Sequence, residues 1–384
     1  MQFEFATAAR IVFGCGTVRE IAPAARSFGR RVLLVTGCPD EIVAPVEEGL
    51  RSAGLETLRF EVHGEPTLDL VRQGVARARE ADCEALVAVG GGSAIDAGKA
   101  IAALLTNGGD PLDYLEVIGQ GRPLRVPSLP WIAVPTTAGT GAEVTRNAVL
   151  SSPEHKVKAS LRSPLMLARL AVVDPDLTLD LPPDVTSSTG LDALTQLIEP
   201  YVSIRANPMT DMFCREGMRR AARSLERACR HPKDRDARTD MSLASLLGGL
   251  ALANAGLGAV HGFAAAIGGA FDAPHGAVCA GLLPHVMRVN IRALRARAPG
   301  SPQLERYREV AQILTGRNEA QPEDGAAWAA DLVGRLGVLM LRAYGIRREH
   351  VAVLVENAAR ASSMKGNPVA LTAEELTEII EAAL

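Results

Sequence analysis

The run ALVAVGGGSAIDAGKAIAALLT, residues 85–106, constrains the fold of this chain more than any other stretch. An apolar segment, three glycines and a helical pattern follow one another without a break, which reads as strand, turn and helix. An apolar run that does not alternate belongs to a strand covered on both faces, and therefore to a parallel sheet flanked by helices. RRVLLVTG (30–37) repeats the signal, ending on Gly37. ETLRFEV (56–62) is a further strand, and LDLVRQGVARAREADC (68–83) an amphipathic helix. WIAVPTTAGTGAEVT (131–145) enters a loop of threonines and glycines, and ARLAVVDPDLT (168–178) holds another short strand. Before these, residues 3–16 suggest a strand and glycine turn, helix-like sequence runs to Phe28, and helical periodicity spans Pro45 to Ser52. Strands alternating with helices define an α/β layer structure. After about Leu181 the pattern becomes almost wholly helical, with turns at 206–208, 231–235, 272–276 and 299–302. The prolines of LDLPPD (179–184) mark the change, which divides the chain into an α/β domain, 1–181, and an all-helical domain, 182–384.

Composition excludes several classes. The 384 residues are enough for two domains, each with its own core. A net charge of −3 gives no argument for nucleic acid or an anionic membrane. The arginines from Arg219 to Arg230 alternate with apolar residues, as on a solvated helix face. The six cysteines (15, 38, 83, 214, 229, 279) contain no C-x-x-C pair, so their spacing signals neither a disulfide framework nor a thiolate metal site. Reduced thiols in the cytoplasm are the expectation. The N-terminus lacks the pattern of a signal peptide. No apolar run is long enough to span a bilayer, and the richest one, about 242–270, reads as tightly packed buried helices.

Two loops point to a nucleotide. Gly90, Gly91, Gly92 and Ser93 lie between a buried strand and a helix, where backbone can approach a phosphate and the helix N-terminus presents free N–H groups. The plainer reading is a tight packing turn. The loop Pro135-Thr136-Thr137-Ala138-Gly139-Thr140-Gly141 follows another strand and adds hydroxyls at the same sheet edge, where ligands sit in open α/β sheets. An acid just past the strand ending near Gly37 would bind a ribose diol and repel a 2′-phosphate. Gly37 occupies that position and Asp40 lies three residues on, so NAD and NADP both stay open.

The second half carries a different chemistry. In DVTSSTGLDALTQLIEP (184–200), Asp192 and Gln196 are one helical turn apart and share a face. His261 and His275 sit 14 residues apart among glycines. One carboxylate and two imidazoles with an open position suit a divalent ion that would polarise a carbonyl or stabilise an alkoxide. The amide oxygen of Gln196 is a poorer ligand than imidazole. Glu199 reads as a capping or salt-bridging residue, and His63 and His285 as structural.

Six collinear motifs, VAVGGGSAIDAGKA, AVPTTAGTGAEVT, LAVVDPDLT, GLDALTQLIEPY, GAVHGFAAAIGG and APHGAVCAGLLPHVMRVN, fall in order within about residues 11–290. Together they resemble the iron-dependent (group III) alcohol dehydrogenases, relatives of glycerol dehydrogenase, maleylacetate reductase and dehydroquinate synthase. The resemblance implies a Rossmann-like nucleotide-binding domain, an all-α domain and an active site in the cleft between them. It matches Gly91, Gly92 and Ser93 to the pyrophosphate loop, with Asp96 in the same motif on the cofactor side. Thr136, Thr137 and Thr140 match the nicotinamide and ribose loop, and Lys158 a lysine that approaches the cofactor. Asp192, His261 and His275 match three of four ligands for iron or zinc. The fourth, normally His, is Gln196 here. A further family histidine, assigned a role in proton transfer, is Ala265.

The expected function is NAD(P)-dependent interconversion of an alcohol and an aldehyde or ketone. It would be assisted by Fe2+ or Zn2+ on Asp192, Gln196, His261 and His275, in a cytoplasmic homodimer with no nucleic-acid or membrane partner. A metal-independent reductase of an activated keto acid, similar to maleylacetate reductase, is the alternative. Lys158 and Arg162 would then be the suspects for holding the carboxylate. A catalytically inactive nucleotide-binding protein is a third reading.

Overall fold

The computed structural model describes residues 2–155 and 157–384. Two compact units divide the chain. Phe5–Thr137 and Gly141–Leu179 form a sheet unit; Asp180–Leu384 forms a helical unit that also takes in residues 2–4 and Ala138–Thr140.

The sheet unit runs β1 (Ile11–Phe13), α1 (Ile21–Phe28), β2 (Arg31–Gly37), α2 (Asp40–Ser52), β3 (Glu56–Glu61), α3 (Leu68–Glu80) and β4 (Ala85–Gly90). It continues through α4 (Gly92–Asn107), the single turn α5 (Pro111–Tyr114), β5 (Trp131–Pro135), β6 (Asn147–Ser152), β7 (Val157–Arg162) and β8 (Leu170–Val173). Six strands form one parallel sheet in the order β1-β8-β5-β4-β2-β3. Every residue of β4 and β5 is buried, as the unbroken apolar runs require. The strand order reverses between β2 and β4. From β2 the chain moves outward to β3, then returns to the other side of β2 and works toward β5. Gly37 and Gly90 are register partners at the carboxyl end of this reversal. Such a switch point opens a crevice for ligands.

Two features differ from the sequence-based expectation. Helix α2 begins at Asp40 and carries Pro45 in its interior. Proline favours the first turn of a helix, which is why the pattern suggests a later start; α2 instead forgoes one backbone bond at Pro45. Strands β6 and β7 form a separate antiparallel pair. Their alternation is only six residues long and made largely of small side chains, too weak a pattern to stand out.

The helical unit contains α6 (Pro183–Val202), α7 (Pro208–Arg230), α8 (Arg235–Ala255), α9 (Ala259–Ala270), α10 (His275–Arg297), α11 (Pro302–Thr315), α12 (Pro322–Arg335), α13 (Val351–Arg360) and α14 (Ala373–Ala383). Helix α6 is buried nearly all round and packs against α7, α8 and α10. The apolar stretch 242–270 is the end of α8 and all of α9, bent by 98° at the intervening break. Among the described residues no single helix is long and apolar enough to cross a membrane.

Candidate metal centre and nucleotide edge

Helix α6 presents Asp192 inside the helical unit, 1% exposed. The carboxylate is split between two tasks. Oδ2 accepts a 2.8 Å hydrogen bond from Gln196 Nε2, one turn on. Oδ1 is buried and, among the described residues, has no hydrogen-bond partner. Facing it are His261 Nε2 at 3.3 Å, from α9, and His275 Nε2 at 3.7 Å, from the first residue of α10. A fourth group joins them. Cys279 Sγ lies 3.7 Å from His275 Nε2 and 4.0 Å from His261 Nε2. Ligand atoms of Asp192, His261, His275 and Cys279 all fall within 4.8 Å of one another.

The surroundings fix these groups in place. Glu199 accepts from the Val260 backbone N–H and pairs with His261 Nδ1, both at 2.7 Å. It thus caps α9 and orients a histidine at once. With Nδ1 engaged by a carboxylate, Nε2 is left to face the cluster. Gly276 lets α10 approach α6: a Cβ there would stand 2.2 Å from the Ser188 carbonyl oxygen.

Charge in the cluster is balanced internally. Burial pushes the Asp192 carboxyl up, but His275, His261 and the Gln196 amide outweigh it and hold the group below the ordinary carboxylate value. Burial disfavours the charged form of His261, yet Cys279, Asp192 and Glu199 together raise it well above its usual value. The Cys279 sulfur, chiefly, raises His275 to about 9 against the same burial. A carboxylate and a sulfur thus draw positive charge into a buried pocket, a demand that a divalent cation meets in place of two protons. The orphaned Oδ1 and the donor set both fit a metal ion.

Cys279 has no signal in cysteine spacing because its neighbour in the cluster is a histidine. The usable signal is the helical turn: His275 and Cys279 are separated by four residues on α10, as Asp192 and Gln196 are on α6. Gln196 is beside the cluster, with its amide nitrogen toward Asp192 and its Oε1 buried without a partner. Ala265, a turn beyond His261 on α9, adds no titratable group.

The nucleotide candidates lie in the sheet unit, apart from Thr140. Gly91 is the N-cap of α4 and, being glycine, offers that end no side-chain cap. Gly91, Gly92 and Ser93 are partly exposed where the preceding strand is wholly buried. Gly90 has φ +155°, a conformation that side chains rarely adopt, so the turn needs glycine. Thr136 joins the same edge through its N–H to Gly90 O at 2.9 Å, and Thr137 stands over Gly91, 3.5 Å from where a Cβ would be. Thr140 belongs to the segment counted with the helical unit. Past Gly37, the Asp40 carboxylate is engaged by Arg59 Nη1 at 2.5 Å.

Asp96 and Lys158 are occupied by protein groups. Asp96 Oδ2 accepts from Val149 N–H at 3.0 Å, and Oδ1 from Lys99 Nζ at 3.3 Å. Lys99 is fully buried and also donates to Ala142 O, Thr145 Oγ1 and Asn147 O, at 2.6–2.9 Å. Asp96 and Lys99 therefore tie β6 and the end of the threonine loop to α4. Lys158 Nζ pairs with Glu65 at 2.8 Å, and Arg162 with Glu116 at 3.2 Å.

The helical unit thus holds an Asp-His-His-Cys cluster that could bind a metal ion, and the sheet unit a glycine turn at its switch point, the pair of features expected of a dehydrogenase class of oxidoreductase. Residues 8–175 match the family described as iron-containing alcohol dehydrogenase, and 186–384 its C-terminal region. Alcohol dehydrogenase 4 of Saccharomyces cerevisiae (strain YJM789) is 35% identical over 377 residues, covering 97% of this chain and 96% of the yeast protein. The solved alcohol dehydrogenase of Oenococcus oeni superposes with a TM-score of 0.92 at 32% identity, over the whole of both chains. Sulfoacetaldehyde reductase of Bifidobacterium kashiwanohense, solved in complex with NAD+, gives 0.84 at 29% identity, over 99% of this chain and 98% of that one. The chain belongs to the iron-containing alcohol dehydrogenase family, and alcohol oxidoreduction is the activity that goes with that membership.

Proposed function

We propose that this enzyme interconverts a small alcohol and its aldehyde or ketone by hydride exchange with NAD or NADP, with a divalent metal held by Asp192, His261 and His275. The unpartnered Asp192 Oδ1, 3.3 and 3.7 Å from two imidazole nitrogens, carries this reading. When bound, the metal would supply Lewis acidity toward the substrate oxygen, and the nicotinamide the hydride acceptor or donor. The chain's own part is positional. Gln196 fixes the Asp192 carboxylate, and Glu199 sets which nitrogen of His261 faces the site. The α4 N-terminus and the glycine turn suit a pyrophosphate, and the NAD+ seen in the sulfoacetaldehyde reductase supports a nicotinamide cofactor. With Ala265 offering no base, the alcohol proton leaves through a ribose or substrate hydroxyl and water. All six cysteines are free, which favours a reducing, cytoplasmic setting. We assign a homodimer formed along the sheet edge at β1; sedimentation velocity tests that part separately.

The deciding experiment assays tag-free protein, Asp192→Ala and His261→Ala with a panel of short alcohols and aldehydes and both coenzymes. Turnover should fall at least about 100-fold in each variant, beyond what loss of a mere outer partner costs. Wild-type turnover in both variants would end the metal-assisted reading. Unchanged turnover after exhaustive chelation would move it to the metal-independent keto-acid reductase.

A further inference from the structure

We infer that Cys279, and not Gln196, closes the metal shell, so that this chain carries an Asp-His-His-Cys thiolate site that prefers zinc to iron. The inference rests on the metal-assisted reading above and adds the ligand set and the metal.

Geometry is the first argument. Metal–ligand lengths of about 2.0–2.1 Å for nitrogen or oxygen and 2.3 Å for sulfur place tetrahedral ligands about 3.3 Å apart, or about 3.6 Å where one is sulfur. The four edges resolved in the cluster are 3.3, 3.7, 3.7 and 4.0 Å. They exceed the ideal by about 0.4 Å or less, a contraction that side-chain rotation covers. Cys279 is fully buried, and its sulfur contacts the Nε2 atoms of both histidines. Its sulfur therefore sits at a vertex of the cage.

Gln196 is the weaker candidate for the fourth ligand: its amide oxygen is buried and unpartnered, but a neutral amide binds zinc or iron less well than a thiolate. Its nitrogen, a donor, is spent on Asp192 Oδ2. Flipping the amide would set Oε1 against a carboxylate oxygen, acceptor against acceptor, so the observed orientation is the stable one. Gln196 acts through Asp192 as a positioning residue.

Ligand chemistry supplies the preference. A thiolate is a soft donor, and S/N/O tetrahedra suit zinc and cobalt(II) better than iron(II). Replacing an imidazole on α6 with a thiolate on α10 thus changes the metal the site selects, while Asp192, His261 and His275 stay in place.

The test is the absorption spectrum of the cobalt(II)-loaded full-length protein, read without turnover. The wild type should show visible d–d bands together with an intense near-ultraviolet sulfur-to-cobalt charge-transfer band. Cys279→Ser should keep the d–d bands, lose the charge-transfer band and bind zinc at least about 10–100-fold more weakly, since a direct ligand is worth no less than an outer partner. Its ratio of zinc to iron affinity, measured by competition, should fall. Gln196→Ala should retain the charge-transfer band. Cobalt that binds the wild type with d–d bands and no charge-transfer band overturns the thiolate site and leaves the metal-assisted reading standing. Failure of the wild type to bind cobalt or zinc at all overturns both.

Discussion

Single residues in the sheet unit carry more charge inward than an α/β core needs. Glu143 is 2% exposed in the turn that ends the threonine loop. Burial raises its carboxyl to about 7, with a backbone hydrogen bond and the buried Lys99 ammonium pulling back. A carboxyl raised on folding contributes its full stability below its unfolded value near 4.5 and loses it as pH rises through about 7. The difference between 4.5 and 7 corresponds to about 3.4 kcal/mol, and the part of it lost between pH 5.5 and pH 8 is about 2 kcal/mol. Denaturant unfolding at pH 5.5 and pH 8 should therefore show the wild type losing up to that amount relative to Glu143→Gln, which has no proton to lose. Equal pH slopes for the two proteins would remove Glu143 from the account. Lys99, which acts on Glu143, has its own ammonium in the interior among four acceptors.

Helix packing sets the cluster at the next scale. Asp192 sits on α6, and His275 and Cys279 on the first turn and a quarter of α10. Their separation depends on Gly276, where any side chain meets the Ser188 carbonyl. Gly276→Ala should push the start of α10 outward, keep the helical circular dichroism, and weaken zinc about 10–100-fold in a chelator competition. Unaltered zinc affinity would mean the helices are not held at this point. The same element shows where sequence reading stops. Asp192, His261 and His275 are legible because acids and histidines stand out in apolar, glycine-rich helices, and the glycine turn because it interrupts a buried strand. Cys279 is hard to read as a site residue because, apart from its spacing of one helical turn from His275, a cysteine in an apolar helix looks like any small core residue until tertiary packing turns it toward two imidazoles. The pair β6–β7 and the start of α2 were hidden for lack of periodicity and by a tolerated proline, both cases of tertiary structure overriding local preference.

Taken whole, the chain carries its candidate metal residues and most of its candidate nucleotide residues in different units. The four cluster residues belong to the helical unit, and Gly37, Gly91, Gly92, Ser93 and Thr136 to the sheet unit. A ligand at 100 times its dissociation constant stabilises what it binds by about 2.7 kcal/mol. Chelation should therefore lower hydrogen-exchange protection in α6, α9 and α10, with little change in β2, β4 and β5. NADH should raise protection around β4 and the start of α4. Uniform change across both units in either experiment would contradict this separation.

The strand order also has a consequence in time. Ile11 pairs with Ala171, 160 residues later, and β8 lies between β1 and β5. A ribosome adding about 5–20 residues per second needs about 8–30 s to cover that interval. Throughout it β1 has no strand neighbour, and once β5 has been made one of its flanks stays bare until β8 follows. The growing polypeptide must therefore keep an apolar edge from other chains until nearly half its length has been made, and premature termination before Leu170 leaves that edge open for good.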